Sequence, residues 1–240
     1  MKRVCLWSGP RNISTALMYA FAQREDTRVV DEPLYGHYLR ASGADHPLKI
    51  ETMESMECDG EKVARGLILG PCARPVLFMK QMTHHLIEMG RGFLGSVVNV
   101  LLTRDPVDML PSLEKALGEI ALVDTGYRAQ YELFEQLRAL GQEPPVLEAR
   151  ELLLNPRGVL EQLCERLELP FDEGMLAWET GGRPEDGVWA AHWYANVHRS
   201  RGFQPYRPKT EPFPERLRAL LDECRPYYEA LYAHALKGEQ

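Results

Sequence analysis

No apolar run in the 240 residues approaches the ~20 consecutive positions that span a bilayer, so no membrane partner is expected. Met1-Lys2-Arg3 is basic, yet the apolar stretch behind it stops at Gly9-Pro10 after about five residues, short of the ~7–15 of a signal peptide. Cysteine is sparse. Cys5, Cys58, Cys72, Cys164 and Cys224 are scattered, odd in number and without metal-ligand spacing. That pattern excludes a disulfide framework and predicts reduced thiols in a cytoplasm. No internal repeat or low-complexity tract is present. Basic residues are outnumbered, 28 Lys and Arg against 35 Asp and Glu. The net charge of −7 argues against nucleic acid as a partner, while a local basic pocket stays open.

What is there suits a globular α/β protein. Hydrophobic content of 45% and charged content of 26% are ordinary, and the length is enough for one domain spanning residues 1–240. Strand patterns at Val4–Trp7, Arg28–Asp31, Val76–Met79, Val97–Leu102 and Val146–Glu148 alternate with helical ones. The helices are expected from Ser14, over Glu61–Leu69, Val107–Leu117 and residues 127–140, and from Pro156. Such alternation predicts a three-layer α/β/α fold around a mainly parallel sheet, with Val97–Leu102 as its central strand. Residues 178–209, rich in Gly, Pro, Trp and Arg, read as a long functional loop, and a last helix covers about 213–236.

The most informative stretch is residues 4–17. A short apolar strand runs into the turn-forming Ser8-Gly9-Pro10-Arg11-Asn12, and Ser14-Thr15 open a helix whose apolar face is Leu17, Ala20 and Phe21. Free N–H groups of a first helical turn, the dipole's positive end and the Arg11 guanidinium together suit a phosphate. An ordinary strand-to-helix connection with a capping Ser has the same outline. The Gly-x-x-x-x-Gly-Lys-Ser/Thr of nucleotide hydrolases is missing, which weakens a Mg-triphosphate as ligand. A second basic element follows the fourth strand. Arg104-Asp105-Pro106 precedes Ser112 by eight residues, so that Ser112 falls about two turns into the helix and pairs with Arg104 in gripping an anion.

These two elements resemble the sulfotransferase family, in which a Pro-Lys/Arg-Ser-Gly-Thr/Ser-Thr loop and an Arg-Asn/Asp-Pro…Ser block hold 3′-phosphoadenosine 5′-phosphosulfate. Here the first reads Pro10-Arg11-Asn12-Ile13-Ser14-Thr15 and the second Arg104-Asp105-Pro106 to Ser112. A third likeness lies in residues 146–171, similar to the family's strand, "Glu-x-Leu…Pro" turn and amphipathic helix. The resemblance covers most of residues 4–175. It implies a P-loop NTPase-like fold, no metal, and donor-binding roles for Pro10, Arg11, Asn12, Ile13, Ser14, Thr15, Arg104 and Ser112. A looser match at Arg199-Ser200-Arg201-Gly202-Phe203 implies that Arg199, Arg201 and Gly202 clamp the same nucleotide. Ile13 replaces the family's Gly, and a β-branched residue resists the positive φ that Gly permits.

The implied reaction passes a sulfuryl group to a hydroxyl or amine of a small-molecule acceptor. Arg11 is then catalytic, meeting the charge that develops on the departing phosphate. Two candidates stand for the general base. Glu32, in Asp31-Glu32-Pro33, resembles the base of the carbohydrate branch; as a plain turn carboxylate it would cap a helix. His84 and His85, after Lys80, resemble the histidine of the branch acting on phenols and steroids, with His84 four positions after the Lys instead of two. His37 is a distant third. The aromatic run Trp189–Tyr194 suits an acceptor wall or a packed core. A nucleotide-dependent small-molecule kinase and a catalytically silent nucleotide- or partner-binding protein of the same fold are the competing readings.

Overall fold

The computed structural model describes residues 1–238. Five strands form one sheet: β1 (Lys2–Ser8), β2 (Thr27–Asp31), β3 (Val76–Met82), β4 (Val98–Thr103) and β5 (Val146–Glu148), in the order β2-β3-β1-β4-β5. The order corrects one expectation. The middle position belongs to β1 and not to the strand at 97–102, although that strand has the more apolar run. The helices are α1 (Ser14–Phe21), α2 (Tyr35–Ser42), α3 (Lys49–Ser55), α4 (Gly60–Val63), α5 (Pro106–Leu117), α6 (Leu122–Thr125), α7 (Tyr127–Ala139), α8 (Ala149–Leu154), α9 (Pro156–Arg166), α10 (Ala190–Trp193), α11 (Ala195–His198) and α12 (Arg218–Tyr232). The alternation and the parallel pairings give the expected α/β fold with helices flanking a mainly parallel sheet.

The described residues cluster into two compact units, each assembled from separate stretches of chain. The first comprises Met1–Trp7, Ser14–Asn99 and Asp172–Phe203. In it β2 runs parallel to β3 in a register that sets Val29 beside Phe78 and Asp31 beside Lys80. Helix α1 packs on this pair, its Phe21 ring stacked on Phe78 at 4.0 Å. Leu17, Met18, Tyr19, Ala20 and Phe21 are all fully buried, so this short helix is enclosed on every side and not on one stripe alone. Asn99 interrupts the apolar run of β4 because it accepts the Trp7 indole N–H at 2.8 Å and donates to Leu94 O, all out of water.

The second unit comprises Ser8–Ile13, Val100–Phe171 and the described residues from Gln204 on. Here β4 pairs in parallel with β5, Leu101 beside Val146 and Thr103 beside Glu148. Helix α5 starts where Asp105 caps Val107 N–H and Pro106 occupies the first helical position. Its inner face of Met109, Leu110 and Leu113 meets Leu217, Leu221 and Cys224.

Three local expectations change. The segment at 61–69 is α4 followed by a π-helical turn over Ala64–Ile68. The last helix, expected over 213–236, is a 3-10 turn at Glu215–Leu217 and then α12, which ends at Tyr232. It stops because Ala235 forms a bridge to Val146 and Leu236 N–H bonds the Val146 carbonyl, a distant partner that local propensity does not encode. Within the loop at 178–209 lie α10 and α11, the latter ending before a bridge between Ala177 and Gly202.

Candidate functional site

The loop after β1 is tied down by its own side chains. Asn12 Nδ2 donates to Ser8 Oγ at 3.2 Å and to the Leu102 carbonyl at 2.9 Å. A Cβ on Gly9 would come within 3.1 Å of the Thr125 carbonyl oxygen, so the close approach there favours glycine. Pro10 and Ile13 are half-buried in this loop. The left-handed residue is Arg11, at φ 55°, whereas Ile13 is not among the positive-φ residues. The β-branched side chain at 13 therefore meets no left-handed backbone. The loop makes its turn two positions earlier than a glycine at 13 would suggest.

Arg11, Arg104 and Ser112 come together in the second unit, though Ser112 bonds Arg11 where the spacing had paired it with Arg104. Arg11 Nε donates to Ser112 Oγ at 3.1 Å, and Arg104 Nη1 donates to the Arg11 carbonyl at 2.8 Å. Arg104 is itself fixed, since the Tyr127 hydroxyl donates to its carbonyl at 2.7 Å. Among the described residues no carboxylate pairs with either guanidinium. Partial burial and then the neighbouring Arg104 push the Arg11 pKa down. Two adjacent unmatched cations and a hydroxyl on one helix are a donor set that fits a phosphate-like anion. Ser14, buried, and Thr15, half-buried, open α1 immediately after this loop and belong to the first unit.

The first unit holds a buried charge cluster where β2 and β3 end side by side. Lys80 Nζ donates to Asp31 Oδ1 at 2.8 Å, to Glu32 Oε1 at 2.5 Å and to the Tyr194 hydroxyl. The Tyr194 hydroxyl in turn donates to Asp31 at 2.8 Å and accepts the Trp189 indole N–H at 3.1 Å. Burial alone would lower the Lys80 pKa; Asp31 and Glu32 outweigh it and raise the value well above normal. Burial pushes the Glu32 carboxyl up, Lys80 pulls it down without cancelling, and the Asp31 charge pushes it up again. Glu32 also sits at φ 40° ahead of Pro33, a strained backbone for a non-glycine residue. It caps no helix side-chain fashion, and α2 begins with no side-chain cap bond at all.

The histidines are built differently. His85 is buried, its ring stacked on Tyr35 at 5.0 Å and on Tyr38 at 4.8 Å, while His84 meets Tyr38 edge-on. Burial lowers both pKa values, that of His84 to about 4. Neither Nδ1 has a hydrogen-bond partner among the described residues. His37 has both nitrogens occupied, Nε2 with the Ile87 carbonyl at 2.7 Å and Nδ1 with Gly60 N–H at 3.2 Å.

The clamp residues lie in the first unit. Arg199 and Arg201 are exposed, and Arg199 donates to Asn196 Oδ1 at 2.8 Å. A Cβ on Gly202 would lie 2.6 Å from the Leu176 carbonyl oxygen, so this glycine is required by packing at the bridge to Ala177. Trp189 and Tyr194 are buried with Tyr35 and Leu39, the packed-core alternative for that aromatic run. Asp31 and Tyr194 are the participants that sequence reasoning missed. The register of β2 and β3 names Asp31 as the partner of Lys80; Tyr194 lies at the end of the aromatic run the sequence singles out, but its bonds to Lys80 and Asp31 are not legible there. Among the described residues no group of three or more His, Cys, Asp or Glu is placed to hold a metal ion.

A family profile described as "Sulfotransferase domain" matches residues 1–235. Branched-chain-amino-acid aminotransferase-like protein 2 of Arabidopsis thaliana is 38% identical over 235 residues, which are 98% of this chain and 42% of that protein. The chain thus spans less than half the length of this curated relative. Among solved structures, the sulfotransferase domain from the Synechococcus PCC 7002 olefin synthase superposes with a TM-score of 0.58 at 16% identity, covering 98% of this chain and 96% of that one. The sulfotransferase domain from the curacin biosynthetic pathway gives 0.55 at 16% identity, with 93% and 97% covered. At such identities the likeness is one of fold.

Proposed function

We propose that this chain, which belongs to the sulfotransferase family, transfers a sulfuryl group from 3′-phosphoadenosine 5′-phosphosulfate to a hydroxyl or amine of a small-molecule acceptor. The observation that carries this reading is the unmatched Arg11–Arg104 pair with Ser112 in reach. Partial burial and the Arg104 charge both disfavour the Arg11 cation, and a phosphate-like anion bound at this place would offset both.

In this reading Arg104 and Ser112 hold the 3′-phosphate. Arg11 holds the phosphosulfate and meets the negative charge that grows on the phosphate oxygen as its bond to sulfur breaks. Glu32 takes the acceptor proton as the new bond to sulfur forms. Its raised pKa suits a base better than an ordinary carboxylate, and Lys80 keeps it ionisable in a buried place. His84 is a weaker base with its pKa near 4. The aminotransferase-like name belongs to relatives more than twice as long as the matched segment, and the transfer chemistry is assigned here to the segment alone.

Thermal shift with 3′,5′-adenosine bisphosphate against Mg-ATP tests the donor. A ligand at ~100 times its Kd stabilises by ~2.7 kcal/mol, and the bisphosphate should do so while Mg-ATP does not. Stabilisation by Mg-ATP alone would overturn the reading. With the bisphosphate bound, radiolabelled sulfate transfer to a panel of alcohols, phenols and amines separates an enzyme from a silent binder. Arg11→Ala should cut transfer at least ~100-fold with the unfolding temperature of the free protein unchanged.

A further inference from the structure

One buried carboxylate joins the start of α8 to the residues just before α5. Glu148, fully buried at the end of β5, lies beside Thr103 in the parallel register with β4. Its Oε2 accepts Arg150 N–H at 2.7 Å and Glu151 N–H at 3.0 Å, which caps α8. Its Oε1 reaches instead to Asp105 N–H at 3.2 Å. A cap needs only one oxygen, and Asp, Asn or Ser supplies it from a shorter side chain. Burial pushes the Glu148 carboxyl up to about 7, and the three N–H groups pull it down without cancelling. The longer side chain, with its charge out of water, is accounted for by the second bond.

That bond has a counterpart. Tyr127, buried on α7, donates its hydroxyl to the Arg104 carbonyl at 2.7 Å. The Arg104 carbonyl and the Asp105 N–H are the two polar atoms of a single peptide group. Side chains from two different elements therefore hold that group at both ends. A peptide group is planar, so fixing both atoms fixes the Cα from which the Arg104 side chain departs. Arg104 in turn holds the Arg11 carbonyl at 2.8 Å, and Arg11 reaches Ser112 at 3.1 Å. All six residues belong to the second unit.

We infer that Glu148 and Tyr127 are positioning residues that aim Arg104 at the 3′-phosphate and so give the site its preference for a nucleotide carrying one. This rests on the donor assignment proposed above. Neither side chain touches the nucleotide in this arrangement; both act through the Arg104–Asp105 peptide, and a guanidinium fork rewards a fixed direction because its bonds to phosphate are directional.

Calorimetric titration of the whole chain with 3′,5′-adenosine bisphosphate and, separately, with adenosine 5′-phosphate tests the inference. The wild type should bind the bisphosphate at least ~10-fold tighter. Tyr127→Phe removes one hydroxyl and should weaken the bisphosphate ~10-fold. The monophosphate, which has no group for Arg104, should change by less than ~2-fold. Glu148→Asp keeps a cap on α8 but is one methylene too short to reach Asp105 as well, and should show the same selective loss; should Tyr127→Phe not fold, it carries the test alone. In an Arg104→Ala background neither change should weaken the bisphosphate further, because the group they position is gone. Equal losses for both nucleotides, unchanged bisphosphate affinity in either variant, or a further loss in the Arg104→Ala background would overturn the inference and leave the donor assignment standing. A wild type that binds the bisphosphate no tighter than the monophosphate would instead overturn the donor assignment, and the inference with it.

Discussion

Glu32 and Lys80 set the most demanding energetics at the level of single residues. A Lys at 2% exposure between two carboxylates is tolerable only because every N–H finds an acceptor. Lys80→Met would leave Asp31 and Glu32 without their cation, and urea unfolding should show a loss of ~3–5 kcal/mol. Glu32 also makes a kinetic prediction. As the base it must be ionised, so kcat/KM should rise with pH through its raised pKa and level off above it. Glu32→Gln should abolish that limb together with at least ~100-fold of the rate. Equal losses in His84→Ala or His85→Ala, with Glu32→Gln active, would transfer the role to the histidine. The pairing of Arg104 with Ser112 could be proposed from spacing because two helical turns have a fixed rise, whereas the bond that Ser112 accepts from Arg11 could not. The left-handed φ of Arg11 could not, since nothing in an Arg codon context demands it.

Among the elements, the turn Thr83–His85 and the helix α2 beside it make a small aromatic assembly of Tyr35, Tyr38, His84 and His85. Both histidines have folded pKa values below the ordinary 6.5, His84 near 4, because burial disfavours the charged ring. The unfolded chain therefore binds more protons than the folded one between those values. Their stabilising contribution is complete above pH 6.5 and is lost as the pH falls toward 4, on the order of 3 kcal/mol for His84. The unfolding temperature should drop over that window. A His85→Phe variant, which keeps a ring between the two tyrosines, should show a shallower drop; an unchanged slope would mean that other groups carry it. The sequence pair His-His after Lys80 had suggested a base, and the stacking around it is invisible to a one-dimensional pattern because Tyr35 and Tyr38 lie some fifty residues away.

At the scale of the whole molecule, the five cysteines remain free thiols, and Cys5, Cys164 and Cys224 are buried. Burial pushes the Cys224 thiol to about 11, which keeps it unreactive at neutral pH. The urea midpoint should be the same with and without dithiothreitol, and a shift would reveal a cross-link that this fold does not contain. Five strands, the helices α1, α5, α7 and α9 and the parallel character of the sheet were legible in the sequence, since burial imposes apolar runs and amphipathic stripes that can be counted along the chain. The family loop, Arg104 and Ser112 were legible for the same reason: their geometry is carried by neighbours in sequence. Tertiary structure alone decided that β1 takes the middle of the sheet, that α12 yields to a bridge at Ala235, and that Tyr194 locks Asp31 beside Lys80. Those choices depend on which distant surfaces meet, and the free energy of such meetings belongs to the packed chain and not to any window of it.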